Sequence, residues 1–132
     1  MNRFATLCLA FALVQITKPA AAGNSFDANY ATARKNVSSK AGAAFDTRLG
    51  LAMQMHPEFQ DGFKSCSRRF SKHLAVHGYF SFTSATSYRV TLAPKSAFSS
   101  CLTRALEGRA VPPPPNIPYL NPFELSASPA GK

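Results

Sequence analysis

The sequence predicts an α+β domain in which two helices pack on one face of a small three-stranded antiparallel sheet. Two stretches repeat apolar residues at helical spacing, and each contains one cysteine. Two shorter stretches place apolar residues at every second position, as strands do when one face of their sheet is buried, and a third short strand follows a run of prolines. Their order along the chain is helix, two strands, helix and a last strand.

The chain begins with the pattern of a secretory signal. Arg3 precedes an apolar run over residues 4–16, and small residues at Ala20 to Ala22 indicate a cleavage site. The run is shorter than the roughly 20 residues of a membrane-spanning helix. We therefore expect residues 1–22 to be a cleaved signal peptide, and the mature chain to be periplasmic or secreted in a bacterium, without a transmembrane helix.

Composition divides the remaining 110 of the 132 residues into three parts. Residues 23–52 are rich in Ala, Ser, Asn and Gly, with isolated aromatic residues and no sustained apolar face. This composition is typical of a polar tether, partly helical at most. We expect one domain over residues 53–127 and a disordered tail over residues 128–132.

The first predicted helix begins at Pro57, where the absent N–H of proline is not needed. Its apolar stripe follows spacings of four, three, four and four residues and consists of Phe59, Phe63, Cys66, Phe70 and Leu74. We expect Gly78 to end this helix. A solvated basic surface lies away from the stripe and consists of Lys64, Arg68, Arg69 and Lys72.

A hairpin and a second helix follow. Strands over residues 79–83 and 87–93 are joined by a short polar turn, so we expect them to be antiparallel neighbours. Ser96 is the predicted N-cap of the second helix, and Gly108 is its stop. The apolar face of this helix includes Cys101.

The last predicted strand covers residues 119–126, after a run of prolines that excludes helix. Pro122 lies within this strand and has no N–H to donate to a neighbouring strand. Proline is confined to the edges of sheets for this reason. The sequence therefore places the last strand at an edge.

Two cysteines, Cys66 and Cys101, remain after Cys8 leaves with the signal peptide. Export to an oxidising compartment predicts a disulfide between them. Each cysteine lies on the apolar face of its helix, so the bond requires the two helices to touch. The Cα atoms then lie roughly 4.4 to 6.8 Å apart.

The order of elements and their motifs resembles the group of TonB and TolA C-terminal domains, over residues 53–127. The matching motifs are Cys66 in the first helix, His77-Gly78-Tyr79-Phe80-Ser81-Phe82 opening the hairpin, Phe98-Ser99-Ser100-Cys101-Leu102 in the second helix, and Val111 to Pro115 followed by Asn121-Pro122-Phe123-Glu124-Leu125. The resemblance implies a small periplasmic fold that recognises other proteins.

In the resembled group, an extended segment of a partner adds to the last strand through main-chain hydrogen bonds. Carried over to this chain, the resemblance implies partner contacts by Tyr119, Leu120, Asn121 and Glu124, with Phe123 and Leu125 facing the core. Energy transducers of the group keep a membrane anchor and a long proline-rich spacer, whereas both leader and tether are short here. We therefore expect a free envelope adaptor whose partner is an envelope protein.

The net positive charge supports an alternative function. Loss of Arg3 and Lys18 with the leader lowers the formal charge from +9 to +7, which still favours anionic partners. The basic surface is then a candidate site for lipopolysaccharide, anionic lipid or cell-wall polymer. Nucleic acid is not expected as a partner outside the cytoplasm.

The sequence predicts neither an enzyme nor a cofactor. It has no Gly-x-Ser-x-Gly nucleophile motif and no Gly-rich phosphate loop. His73 and His77 have a spacing that suits metal on a helix, but a zinc site needs three or four ligands. His56 is the only other histidine and lies at the far end of the predicted helix, so we expect no metal site.

Overall fold

The computed structural model describes residues 25–70 and 74–127, which form four α-helices and three β-strands. The elements in chain order are α1 (Phe26–Asn36), α2 (Lys40–Met55), α3 (Pro57–Arg68), β1 (Leu74–Phe82), β2 (Tyr88–Ala93), α4 (Ala97–Leu106) and β3 (Tyr119–Ala127). The predicted signal peptide, the predicted tail, Lys72 and His73 lie outside the described residues.

The strands form one antiparallel sheet in the order β2-β1-β3, which confirms the α+β class and the predicted sheet. β1 is central and pairs on both sides. Phe80, for example, lies opposite Val90 of β2 and Asn121 of β3. β2 and β3 are therefore the two edges of the sheet.

β1 begins earlier than the sequence predicted. The predicted helix continues to Leu74 and ends at Gly78, whereas α3 ends at Arg68 and β1 begins at Leu74. Gly78 is buried in the sheet, where a Cβ would overlap the carbonyl oxygen of Thr91 on β2. This glycine therefore permits the close approach of two strands and does not end a helix.

The main core lies on one face of the sheet. Val76, Phe80 and Phe82 of β1 share this face and are buried, because alternate residues of a strand point to the same side. Helices α2, α3 and α4 contribute to the same cluster through Phe45, Leu49, Met53, Phe59, Cys66, Phe98, Leu102 and Leu106. Three helices therefore contribute to the core, where the sequence predicted two.

The opposite face of the sheet is covered by α1. The Phe26 ring lies 5.3 Å from the His77 ring and 5.7 Å from the Tyr79 ring, between centroids. Tyr30 lies 5.0 Å from His77, and Tyr79 is buried beneath the helix. The sheet is thus covered by helices on both faces, which corrects the prediction of helices on one face only.

Helices α1 and α2 occupy the segment for which composition predicted a polar tether. Ser25 and Ser39 are their N-caps, and each hydroxyl accepts a hydrogen bond from a backbone N–H three residues later. Phe45 of α2 is fully buried, with its ring 5.4 Å from that of Phe82. Residues 25–52 therefore form part of the folded unit.

The predicted disulfide between Cys66 and Cys101 is confirmed. It joins α3 to α4 with a Cα–Cα distance of 5.8 Å. The helices approach closely because Gly62 faces Ala105, and a Cβ on the glycine would lie 2.8 Å from the alanine Cβ. The bond indicates an oxidising, extracytoplasmic compartment.

Within the two described stretches, no helix combines the length and apolar character that crossing a bilayer requires.

Tyr88 connects β2 to the chain that leaves α4. Its hydroxyl donates to the Leu106 carbonyl oxygen at 2.6 Å and accepts from the Arg109 backbone N–H at 3.1 Å. Burial raises the pKa of the Tyr88 phenol above its ordinary value of 10.0, although the Arg109 N–H acts in the opposite direction. The neutral phenol is therefore the form that the folded state favours.

This raised pKa predicts a loss of stability at high pH. The stability contribution of Tyr88 is fully present below pH 10 and is lost as the pH rises through the raised pKa. We expect thermal melts between pH 8 and 11 to show a falling midpoint, and Tyr88→Phe to fall less steeply. Tyr30 and Tyr119 also have raised pKa values. Because both remain in Tyr88→Phe, the melting temperature of the variant still falls with pH, but less steeply. Parallel slopes for the two proteins would contradict this assignment.

Candidate functional site

The two edges of the sheet differ in how far other groups already occupy them. At the β2 edge, the Glu107 carboxylate accepts a hydrogen bond from the Val90 backbone N–H at 2.9 Å. Tyr88 holds the chain after α4 beside the same strand. Groups of the protein itself therefore occupy the centre of the β2 edge, and β3 is the candidate edge for binding a partner strand.

The first half of β3 is also engaged. The Asn36 side chain donates from Nδ2 to the Leu120 carbonyl oxygen at 2.9 Å. Pro122 has no N–H, and its carbonyl oxygen accepts from Nδ2 of Asn121 at 3.1 Å. An incoming strand therefore meets carbonyl oxygens at Leu120 and Pro122 that already accept a hydrogen bond, and it meets no N–H at Pro122.

The second half of β3 offers unpaired main-chain groups. Backbone groups along an antiparallel edge strand point alternately toward the sheet and away from it. The Leu120 carbonyl points away, since a helix side chain reaches it, so Glu124 and Ser126 point away as well. Among the described residues, none outside the sheet bonds to the N–H or C=O of these two. They form the open end of the β3 edge.

The side chains that the resemblance assigned to partner contact do not lie together. Tyr119 and Asn121 are 5% and 1% exposed and share the core face with Phe123, whereas Leu120 and Glu124 are on the other face. The period of two requires this, because Tyr119, Asn121 and Phe123 are alternate residues. Of the predicted contacts, only Leu120 and Glu124 present side chains at the surface.

Glu124 is tied to α1. Its Oε1 accepts a hydrogen bond from the Tyr30 hydroxyl and lies 2.9 Å from Nη1 of Arg34. Burial raises the pKa of Tyr30, and the bond to Glu124 raises it further. These contacts hold α1 against the strand face beside the open end.

A groove of about 510 Å³ runs beside β3. We call it the β3 groove, and its lining includes Leu49, Gly50, Met53, Phe59, Phe123 and Leu125, with Arg34, Asp46, Gln54 and Glu124 among its polar residues. Nδ2 of Asn121 donates to Oδ1 of Asp46 at 2.7 Å, which fixes one wall of the groove. The open backbone groups and this mainly apolar groove therefore adjoin each other.

The basic surface is partly described. Lys64 and Arg68 of α3 and its C-cap residue Arg69 are exposed, as predicted from their distance to the apolar stripe. His77 lies on β1 against α1, not on a helix, which the spacing from His73 to His77 would have suited. Over residues 25–70 and 74–127, no three His, Cys, Asp or Glu side chains gather around a point that suits a metal ion.

Sequence reasoning missed the contributions of α1 and α2 to this site, namely Asn36, Asp46 and the apolar wall. The spacing of four between Phe45, Leu49 and Met53 was the available signal. Comparison of the chain with protein-family models, curated proteins and solved structures finds no significant match.

Proposed function

We propose that this protein is an extracytoplasmic protein-interaction module, an envelope adaptor similar to the TonB and TolA C-terminal domains. It binds an extended segment of an envelope protein by strand addition at the outer edge of β3. The observation that carries the proposal is the pair of outward-pointing residues at the open end of β3, Glu124 and Ser126. Each offers one N–H and one C=O to an added strand.

The protection of the other edge positions supports this choice. Proteins usually block exposed sheet edges, because an open edge recruits other strands without selection. Here the Glu107 carboxylate occupies the Val90 N–H at the centre of β2, and the Asn36 amide and Pro122 protect the start of β3. A short open stretch beside a groove is what a selective strand-binding site requires.

The disulfide and the helices are consistent with an adaptor that works outside the cytoplasm. A rigid scaffold keeps an edge strand ready for binding, and the Cys66–Cys101 bond joins two of the helices that cover the core. Helices α1 and α2 extend beyond the part of the chain that resembles TonB and TolA. They add the walls of the β3 groove.

Substitution of Ser126 tests the proposal. Ser126→Pro removes the outward N–H at a position equivalent to Pro122, four residues further along the strand, so the fold is expected to remain intact. A photoreactive residue at the exposed Gln54 then reports binding by crosslinking in envelope preparations. The expected product is a covalent adduct between residue 54 and the bound partner. We expect this adduct in the unsubstituted protein and in the matched control Ser126→Ala, and we expect Ser126→Pro to abolish it.

The same experiment distinguishes strand addition from the alternative function, binding of an anionic surface. The exposed cations on α3 favour an anionic surface as a second candidate, and reversal of charge at Arg68 and Arg69 removes most of the described basic surface. We expect the Gln54 adduct to survive this reversal. An adduct that is lost on charge reversal but undiminished in Ser126→Pro contradicts strand addition and supports the cationic surface.

A further inference from the structure

We infer that the β3 groove selects the partner segment by its side chains: one large apolar residue enters the groove, and a Lys or Arg two positions away meets Asp46. This inference rests on the proposed strand addition and adds the chemistry of the bound segment. It assigns a specificity role to α2.

The apolar residue follows from the position of the groove. An added strand lies about 4.8 Å beyond β3, and every second side chain points to the core face. On that face the next surface is the apolar lining of the groove, which includes Leu49, Met53 and Phe59. The groove volume of about 510 Å³ lies within the roughly 300–1,000 Å³ of typical ligand pockets. It has room for a large side chain together with part of the added backbone.

The basic residue follows from the charges at the groove. Asp46 and Glu124 are two of the six acidic residues of a chain with formal charge +9, and both line the groove. The cation there, Arg34, already pairs with Glu124. Asp46 is exposed and is held by a neutral amide, that of Asn121, so its charge remains available to a partner. The local charge therefore favours a cationic segment, although the chain as a whole is basic.

Gly50 provides a way to fill the groove without disturbing the fold. It lies in the middle of α2 and lines the groove, and a Cβ placed on it meets no atom within 4 Å. Gly50→Ala and Gly50→Trp both replace a glycine within a helix and thus favour folding. Only the tryptophan is large enough to occupy the space of the incoming side chain.

The test uses eight-residue peptides of alternating threonine and valine as probes. One guest position carries Leu or Ala, and the position two residues later carries Lys or Glu. We expect the Leu and Lys peptide to bind at least tenfold more tightly than the Ala and Lys peptide, and several-fold more tightly than the Leu and Glu peptide. Gly50→Trp removes the preference for Leu, Asp46→Asn removes the preference for Lys, and Gly50→Ala keeps both.

The outcomes distinguish this inference from the proposed function. If peptides bind and Ser126→Pro abolishes binding, but Leu and Ala peptides bind equally, strand addition stands and the groove inference is wrong. Equal binding of Lys and Glu peptides overturns the role of Asp46. If none of the peptides binds, both the inference and strand addition are contradicted.

Discussion

Loss of the Cys66–Cys101 disulfide lowers the melting temperature by about 15 °C. The bond closes a loop with a sequence separation of 35 residues, and the chain-entropy model assigns such a loop about 3–4 kcal/mol. For a domain of this size, each kcal/mol corresponds to about 4 °C in the melting temperature. The effect is large because small domains are stable by only about 5–15 kcal/mol in total.

The measurement compares thermal melts of the oxidised protein, the reduced protein and the double variant Cys66→Ala with Cys101→Ala. Cys66 is buried and Cys101 partly buried, so the double variant also loses some packing and melts at or slightly below the reduced protein. Reductant added to the double variant is the control and has no further effect. A shift of less than about 3 °C on reduction contradicts the account of the bond as a major source of stability.

Phe45→Ala destabilises the protein by about 3–5 kcal/mol, the usual result of removing a buried phenylalanine ring. The side chain is fully buried, and its ring contacts those of Phe82 and Tyr119 at 5.4 and 5.5 Å between centroids. A tether separate from the domain would lose nothing on this substitution. The variant therefore tests directly whether α2 belongs to the folded unit.

The matched control is Met55→Ala, a truncation of another large apolar residue on the same helix. Met55 is 81% exposed, so we expect a change within about 0.5 kcal/mol. Urea unfolding gives both free energies. Equal midpoints for Phe45→Ala and the unsubstituted protein would show that α2 does not contribute to the core in solution.

The second half of the fold was largely predictable because its signals are local and agree with each other. Ser96 caps α4, and Ser99 completes a capping box with it. Gly108 follows the helix with a φ of 74°, a conformation that favours glycine. Alternation located β2, the proline run preceded the predicted last strand, and Pro122 placed β3 at an edge. Serine at a helix start, glycine after a helix end and proline within a strand each favour one structural role, so these residues predict local structure well.

The boundary between α3 and β1 was not predictable from periodicity alone. Cys66, Phe70 and Leu74 continue the helical spacing of four residues, so the pattern favoured a longer helix. The requirement for Gly78 comes from Thr91 on the neighbouring strand, and contacts of this kind are not visible in the local sequence. Tertiary pairing therefore decided the conformation of this segment.

The sequence predicted that the site is an edge strand, but it did not predict which backbone groups and side chains of that strand are exposed. Pro122 located the edge, whereas the blocking contact of Asn36 with Leu120 joins residues 84 positions apart. The assignment of contact side chains came from the resemblance and conflicted with the alternation of β3, which buries Tyr119 and Asn121. The groove depends on α2, whose apolar residues are spaced among alanines and glycines.

Amide hydrogen exchange at β3, followed by NMR, is the most direct test of the central claim. In the free protein we expect slow exchange at Phe123 and Leu125, which point toward β1, and fast exchange at Glu124 and Ser126. With the Leu and Lys peptide bound, exchange at Glu124 and Ser126 slows at least tenfold. If the peptide binds while these two amides exchange as rapidly as before, the open end of β3 is not where a partner strand adds.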